Sequence, residues 1–238
     1  MTRSRQPTAL TVDQPLTGNA ERGYLVLAAL FIGSLVVTNL IANKFLTVDL
    51  GFKVFVLSAG ALPYPLTFLV TDLLSEIYGQ RRTNRVVWAG FLVSGLVLVV
   101  LWLASQFPAI PESPVDDATY NQVFQNAWRV IGASMIAYLF AQLIDVRMFH
   151  FWRKLTSGKH LWLRNNASTI VSQLVDSVLV VLVLFAGVQT TDWMLGTILD
   201  LWLFKAMVAL LDTPLFYAGT WVMTRWTGVD AHQYTGHP

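Results

Sequence analysis

The 238-residue chain contains no cysteine. Thiol nucleophiles, thiolate metal sites, disulfide staples and redox pairs are therefore all excluded. Charge is scarce as well: Asp, Glu, Lys and Arg together make up 13% of the residues, about half the share of a soluble domain. The four histidines (His150, His160, His232 and His237) fall outside the apolar stretches and form no His-Glu-x-x-His run. No zinc site or Ser–His pair is expected within those stretches. A Gly-x-x-x-x-Gly-Lys-Ser/Thr run is also missing, so the chain has no phosphate loop with which to burn ATP. What fills the sequence is apolar: 55% hydrophobic residues and a mean hydropathy of +0.54. A single soluble core of this length cannot hide that much apolar surface, and the bilayer is the solvent that fits.

A membrane-crossing helix needs about 20 mostly apolar residues. Six stretches qualify, at residues 23–43, 54–78, 86–106, 130–149, 168–188 and 195–223. The expected fold is all-α, a polytopic bundle of six transmembrane helices in one domain over residues 21–226, with loose polar tails at 1–20 and 227–238. Twelve of the 16 bases lie on one side of such a bundle, in the first tail, near Arg81, Arg82 and Arg85, between Arg147 and Arg164, and at Arg225. The other side has Lys44, Lys53 and Arg129, beside Glu112, Asp116, Asp117 and Asp192. The positive-inside rule then puts both termini in the cytoplasm.

Two loops have texture. After Pro108, Pro111 and Pro114, Asp116 precedes Tyr120, Val123 and Phe124 at helical spacing, so a short outer surface helix with an Asp N-cap is expected. The stretch 147–164 is basic and aromatic and reads as an interfacial loop snorkelling beside anionic lipid. Membrane lipid is thus an expected partner, and nothing points to nucleic acid.

Polar groups inside the spans carry the functional signal, because an ionisable residue at a helix centre costs about 2.5–3.5 kcal/mol to insert. They are Asn39 in the first span, Asp72 and Glu76 in the second, Gln142 and Asp145 in the fourth, Ser172, Gln173 and Asp176 in the fifth, and Asp200, Lys205 and Asp212 in the sixth. Gln142–Asp145 and Gln173–Asp176 repeat one i, i+3 pattern, so each helix offers an amide and a carboxylate on one face. Lys205 and Asp212 lie about 10 Å apart along one face and must find partners elsewhere. Interhelical salt bridges or hydrogen-bond glue explain some of these residues, and Glu76, Asp145 and Asp200 have a second reading as shallow groups near headgroup water. Together they favour a polar central cavity. The run Gly60-Ala-Leu-Pro63-Tyr64-Pro65 breaks the second span, since proline cannot continue a helical ladder. A half-helix starting there would aim N–H groups at a ligand.

These residues also resemble a known family. Tyr64-Pro-Leu-Thr-Phe-Leu-Val-Thr-Asp-Leu-Leu-Ser-Glu-Ile-Tyr-Gly79 resembles the second-helix motif of the queuosine precursor transporters, which once carried a vitamin-uptake label. Gln142-Leu-Ile-Asp-Val-Arg-Met-Phe149, Ala167-Ser-Thr-Ile-Val-Ser-Gln-Leu-Val-Asp176 and Leu203-Phe-Lys205 look like its fourth-, fifth- and sixth-helix motifs. The resemblance implies a multi-pass protein of the bacterial inner membrane that imports 7-cyano-7-deazaguanine and related 7-deazapurines for queuosine modification of tRNA. It also implies a likeness to the substrate-capturing subunits of energy-coupling-factor transporters. Asn39, Asp72, Gln142, Asp145, Gln173, Asp176 and Lys205 become substrate-binding candidates, with Glu76 and Asp212 as candidates for proton coupling or ion pairing. The expected ligand is small, planar and nucleobase-like; no cofactor or metal is called for, and a homodimer stays open. Three other readings compete with a self-sufficient transporter: a binding subunit that needs a separate ATPase, an intramembrane acid-dyad enzyme using Asp176 and Asp212, and a structural scaffold.

Overall fold

The computed structural model describes residues 16, 18–42, 44–49, 51, 54–125, 128–157, 159–187 and 189–229. Of the expected tails at 1–20 and 227–238, residues 1–15, 17 and 230–238 lie outside the described residues, as does Asn43, while Asn19 and Ala20 already belong to the first helix and Thr227 to the last. In chain order the elements are α1 (Asn19–Ile41), β1 (Phe45–Asp49), β2 (Val54–Ser58), a 3-10 turn (Ala59–Ala61), α2 (Tyr64–Tyr78) and α3 (Gln80–Ala104). After these come the single turn α4 (Asp117–Tyr120), a π turn (Asn121–Gln125), α5 (Trp128–Leu155), α6 (Leu161–Phe185) and α7 (Thr191–Thr227). Six long helices thus stand where six apolar stretches were read. Four of them, Asn19–Ile41, Gln80–Ala104, the Leu161–Val183 part of α6, and Thr191–Thr227, are long and apolar enough to cross a membrane.

Side-chain burial follows the logic of a membrane protein. Leucines cover the outside: Leu92 is 68% exposed and Leu211 75% exposed. The interior holds Thr67, Thr71, Asp72, Ser75 and Glu76 of α2, Gln142 and Asp145 of α5, and Ser168, Thr169, Ser172, Gln173 and Asp176 of α6. Apolar groups gain nothing by hiding from lipid, whereas polar groups must find partners inside the protein.

α2 is the axis. From Val70 to Tyr78 every side chain is buried, because α1, α3, α5 and α7 all pack against it. Its apolar face joins Leu27, Phe31 and Leu35 of α1 with Phe68, Leu74 and Ile77 in one core. Gly23 lets α1 approach: a Cβ there would lie 2.6 Å from Tyr78 Oη and 2.7 Å from Thr227 Cγ2. Tyr78 in turn donates to the Ala20 carbonyl at 3.0 Å. Gly79, at φ 79°, turns the chain directly from α2 into α3 in a conformation glycine adopts freely.

The second apolar stretch differs from expectation. Its first part, 54–58, is a strand paired antiparallel with 45–49, in register Phe45 opposite Ser58 and Asp49 opposite Val54. Alternating Val-Phe-Val-Leu fits a half-buried strand, and Gly51 at φ 81° donates to Asp49 Oδ1 at 2.8 Å within the turn. Ser58 Oγ then bonds the Ala42 carbonyl at 2.6 Å and accepts from Gly60 N at 3.2 Å, fixing the hairpin to the end of α1. Pro63 and Pro65 therefore start α2 and do not interrupt it; proline in a first turn removes an N–H that had no helical partner. At 15 residues α2 is about 22 Å long, short of the roughly 30 Å hydrocarbon core.

The basic stretch 147–164 is also reorganised. α5 runs on to Leu155 and α6 begins at Leu161, so only a short turn remains. Arg164, expected in an interfacial loop, is 1% exposed within α6. The outer surface helix is present: Thr119 N donates to the Asp116 N-cap at 2.7 Å.

Candidate functional site

The interior polar residues sort into three groups along α6, whose buried face runs from Arg164 to Ser177. At one end, Glu76 of α2 takes Arg164 Nη2 at 2.5 Å and faces Arg153 Nη1 at 3.8 Å. Arg153 also reaches the Glu76 carbonyl at 3.3 Å, and the Arg164 guanidinium lies 5.6 Å from the centre of the Phe149 ring. Glu76 is fully buried, so the reading of it as a shallow headgroup residue is overturned; its role is ion pairing.

At the other end, Lys205 Nζ of α7 pairs with Asp176 Oδ2 of α6 at 2.5 Å and stands 4.7 Å from the centre of the Tyr64 ring. Lys205 thus finds its partner on a neighbouring helix, as its distance from Asp212 required. Tyr64 is delivered by the first turn of α2, so the proline-marked helix start and the ion pair occupy one place.

Between the two pairs lies a hydroxyl-rich junction. Gln142 Nε2 donates to Thr71 Oγ1 at 2.9 Å, Thr169 Oγ1 donates to Asp72 Oδ2 at 3.4 Å, and Ser172 Oγ donates to Asp145 Oδ1 at 2.9 Å. Adjacent residues of α2, an i, i+3 pair of α5 and an i, i+3 pair of α6 lock three helices together. Asp145 is fully buried, so it too is no headgroup residue, whereas Asp200 is exposed.

A pocket opens beside this seam. Tyr64, Pro65 and Phe68 of α2 and Phe204 of α7 form apolar walls, and Thr169, Gln173, Lys205 and Asp212 supply polar groups. The Gln173 Oε1 atom is buried and meets no donor among the described residues. Phe204 also packs on Phe55 of the hairpin, with ring centroids 5.3 Å apart, so β2 buttresses one wall.

Of the residues singled out in the sequence, Gln173, Lys205 and Asp212 line this pocket, Asp176 reaches it only through its pair with Lys205, and Asp72, Gln142 and Asp145 meet at the neighbouring junction. Asn39 joins neither. It faces Ser94 of α3 at 3.4 Å, on the far side of α1. The sequence reading missed Thr71, Thr169 and the walls Phe68 and Phe204. Thr71 adjoins Asp72, and Thr169 lies one helical turn before Gln173, so periodicity alone pointed at both. Among the described residues, no cluster of three or more His, Cys, Asp or Glu side chains could hold a metal.

A family profile described as "Putative vitamin uptake transporter" matches residues 58–219. A Bacillus subtilis protein named "Probable queuosine precursor transporter" is 33% identical over 67% of this chain and 69% of its own length. The Escherichia coli "Queuosine precursor transporter" is 25% identical over 64% of this chain and 67% of its own length. A Haemophilus influenzae protein, also named "Probable queuosine precursor transporter", is 28% identical over 50% of this chain and 47% of its own length. No solved structure matches. The matched region runs from the end of β2 into the last helix and contains the α2 axis, both buried ion pairs and the pocket. The chain therefore belongs to the queuosine precursor transporter family, as a multi-pass transporter, not an enzyme, of the bacterial inner membrane.

Proposed function

We propose that this chain carries 7-deazaguanine precursors of queuosine, 7-cyano-7-deazaguanine and its aminomethyl relative, into the cytoplasm, where they feed tRNA modification. In this reading α1, α3, α6 and α7 cross the membrane, α2 and α5 complete the bundle within it, and both termini lie on the cytoplasmic side. The observation that carries the reading is the pocket at the start of α2. Flat aromatic walls suit a planar ring, and the polar groups match a guanine edge. Gln173 Oε1 and the Asp212 carboxylate accept from ring and exocyclic N–H groups, while Lys205 donates to the ring carbonyl. The Asp176–Lys205 pair holds that ammonium in place until the ligand arrives.

The test is uptake of radiolabelled 7-cyano-7-deazaguanine by liposomes containing only the purified chain, preloaded with unlabelled compound. Exchange of label supports a self-sufficient transporter. Binding without exchange would instead favour a capture subunit that awaits an ATPase partner, and absence of both would remove the substrate assignment.

A further inference from the structure

We propose that the Asp72 and Asp145 carboxyls form a proton-binding site, separate from the substrate pocket and tied to it through Thr169, so that a proton gradient drives uptake. The proposal rests on the transporter reading and adds its energy source.

The junction of α2, α5 and α6 has more acceptors than donors. Thr169 gives its hydroxyl hydrogen to Asp72, Ser172 has one hydrogen for two acceptors, Asp145 Oδ1 at 2.9 Å and the Thr169 carbonyl at 3.0 Å, and the Gln142 amide gives one to Thr71. Three buried oxygens are then left without a donor among the described residues: Asp72 Oδ1, Asp145 Oδ2 and Gln142 Oε1. All three side chains are essentially fully buried. The amide of Gln142 is held at the junction by its bond to Thr71, the residue before Asp72, so its free carbonyl oxygen belongs to the same cluster. An acceptor buried without a donor costs about 1–3 kcal/mol, and more if it is charged.

The two carboxyls are held on neighbouring hydroxyls of one face of α6, Asp72 by Thr169 and Asp145 by Ser172, one turn apart. Ionised carboxylates have no hydrogen to donate, so neither acid can satisfy the other's free oxygen unless one of them carries a proton. The neighbouring charges do not replace it. Glu76, one turn along α2, engages Arg164 and Arg153, and Asp176, one turn along α6, engages Lys205. Among the described residues the Tyr138 phenol also lies near Asp145, and it carries no positive charge. The missing component is therefore a hydrogen, and a proton supplies it.

Thr169 connects this site to the substrate. Its side chain lines the pocket, and its hydroxyl is the donor to Asp72. A ligand that draws that hydroxyl toward the pocket takes a hydrogen bond from Asp72, so occupancy of the pocket alters how the acid pair holds its proton. Neither Asp72 nor Asp145 lines the pocket itself. A proton taken up from the outer side with the substrate and released to the cytoplasm completes the cycle.

The experiment uses the full chain in sodium-free liposomes and two readouts: exchange of labelled 7-cyano-7-deazaguanine at equal pH, and net accumulation with the outside one pH unit more acidic. One proton per substrate predicts about tenfold accumulation in the wild type. D72N and D145N should retain exchange and lose accumulation. Wild-type exchange without gradient-driven accumulation would overturn the proton site, as would accumulation driven by sodium alone. Accumulation by D72N or D145N at the wild-type level would overturn it too. Monodisperse D72N and D145N proteins that lose exchange along with accumulation would place the acids in the pocket and also overturn the proposal. Lack of exchange by the wild type would instead defeat the transporter reading beneath it.

Discussion

Lys205→Met offers the sharpest perturbation of the pocket, because it removes one member of a buried ion pair and leaves the other. Asp176 is 3% exposed and Lys205 16% exposed, so neither charge is bathed in water. Removing one partner of a buried pair costs about 3–5 kcal/mol, since the remaining charge is stranded; the partial exposure of Lys205 puts this pair near the lower end, at about 3 kcal/mol. Asp176→Asn should cost less. The stranded ammonium still has the Tyr64 ring at 4.7 Å, and a cation over an aromatic face retains about 0.5–2 kcal/mol. The double variant strands neither charge and should recover most of the loss. For a chain of this size about 2–4 °C of melting temperature corresponds to each kcal/mol. The expected order in detergent is then wild type, double variant, Asp176→Asn and Lys205→Met, with about 6–12 °C between the first and last. Exchange of labelled base should follow a different order, because all three variants lack part of the polar set at the pocket and should fail. Additive melting shifts, with the double variant the least stable, would show that the two charges do not depend on each other. Full exchange by Asp176→Asn would refute the pocket assignment at its centre.

Gly23→Val should destabilise the protein by about 1–3 kcal/mol by overpacking, since its Cβ would meet Tyr78 Oη and Thr227 Cγ2; a wild-type melting temperature would contradict the close approach of α1. Because the chain lacks cysteine, single cysteines report topology cleanly. Ser157→Cys should react with an impermeant maleimide only from the cytoplasmic side and Glu112→Cys only from the outside, and the reverse pattern would invert the proposed orientation. On the outer loop, the hydrogen bond from Thr119 holds the Asp116 carboxyl below its ordinary value of 3.8. A depressed acid stabilises the turn above the unfolded value, and that contribution fades as pH falls through the lower folded value. Protection of the Thr119 amide, corrected for intrinsic exchange, should therefore persist at pH 5 and decline below about 3.8. Asp116→Asn should flatten that profile.

Most of the helix layout was legible because lipid imposes a simple code: about 20 apolar residues make a span and basic residues mark its cytoplasmic flank. The code failed where strand and helix share apolarity. Residues 54–58 join an apolar run to α2, and hydropathy alone cannot tell a hairpin strand from a helix start; the alternation before Pro63 and the turn at Gly51 held that information. The candidate site was legible through cost, since Asp72, Asp145 and Asp176 are expensive in a membrane and all are buried, with Lys205 half-buried beside Asp176. Which acid pairs with which base was not, because the pairs join α2 to α6 and α6 to α7 across 88 and 29 residues of sequence. Arg164 shows the same limit. Its charge placed it in a loop, and only the tertiary partner Glu76 makes its burial affordable. Asn39 shows the converse: a polar group in a span that serves a local contact with Ser94.

The order of charges along α6 gives the arrangement its sense. Arg164 and Asp176 are twelve residues apart, about 18 Å along the helix axis, and Thr169 and Ser172 fall between them. The Asp176–Lys205 end is a matched pair and presents little net charge to the middle, whereas Glu76 at the other end meets two bases, Arg164 and Arg153. At about 9 Å an unmatched unit charge would contribute nearly 2 kcal/mol at an effective dielectric of about 20. That is enough to change proton occupancy more than tenfold. The acid pair is thus insulated at its Lys205 end and left responsive to Thr169, the neighbour it shares with the pocket. Lys205→Met removes that insulation at one end and should change the pH dependence of whatever substrate binding remains. The double variant with Asp176→Asn restores neutrality and should return the wild-type profile, even though neither protein transports.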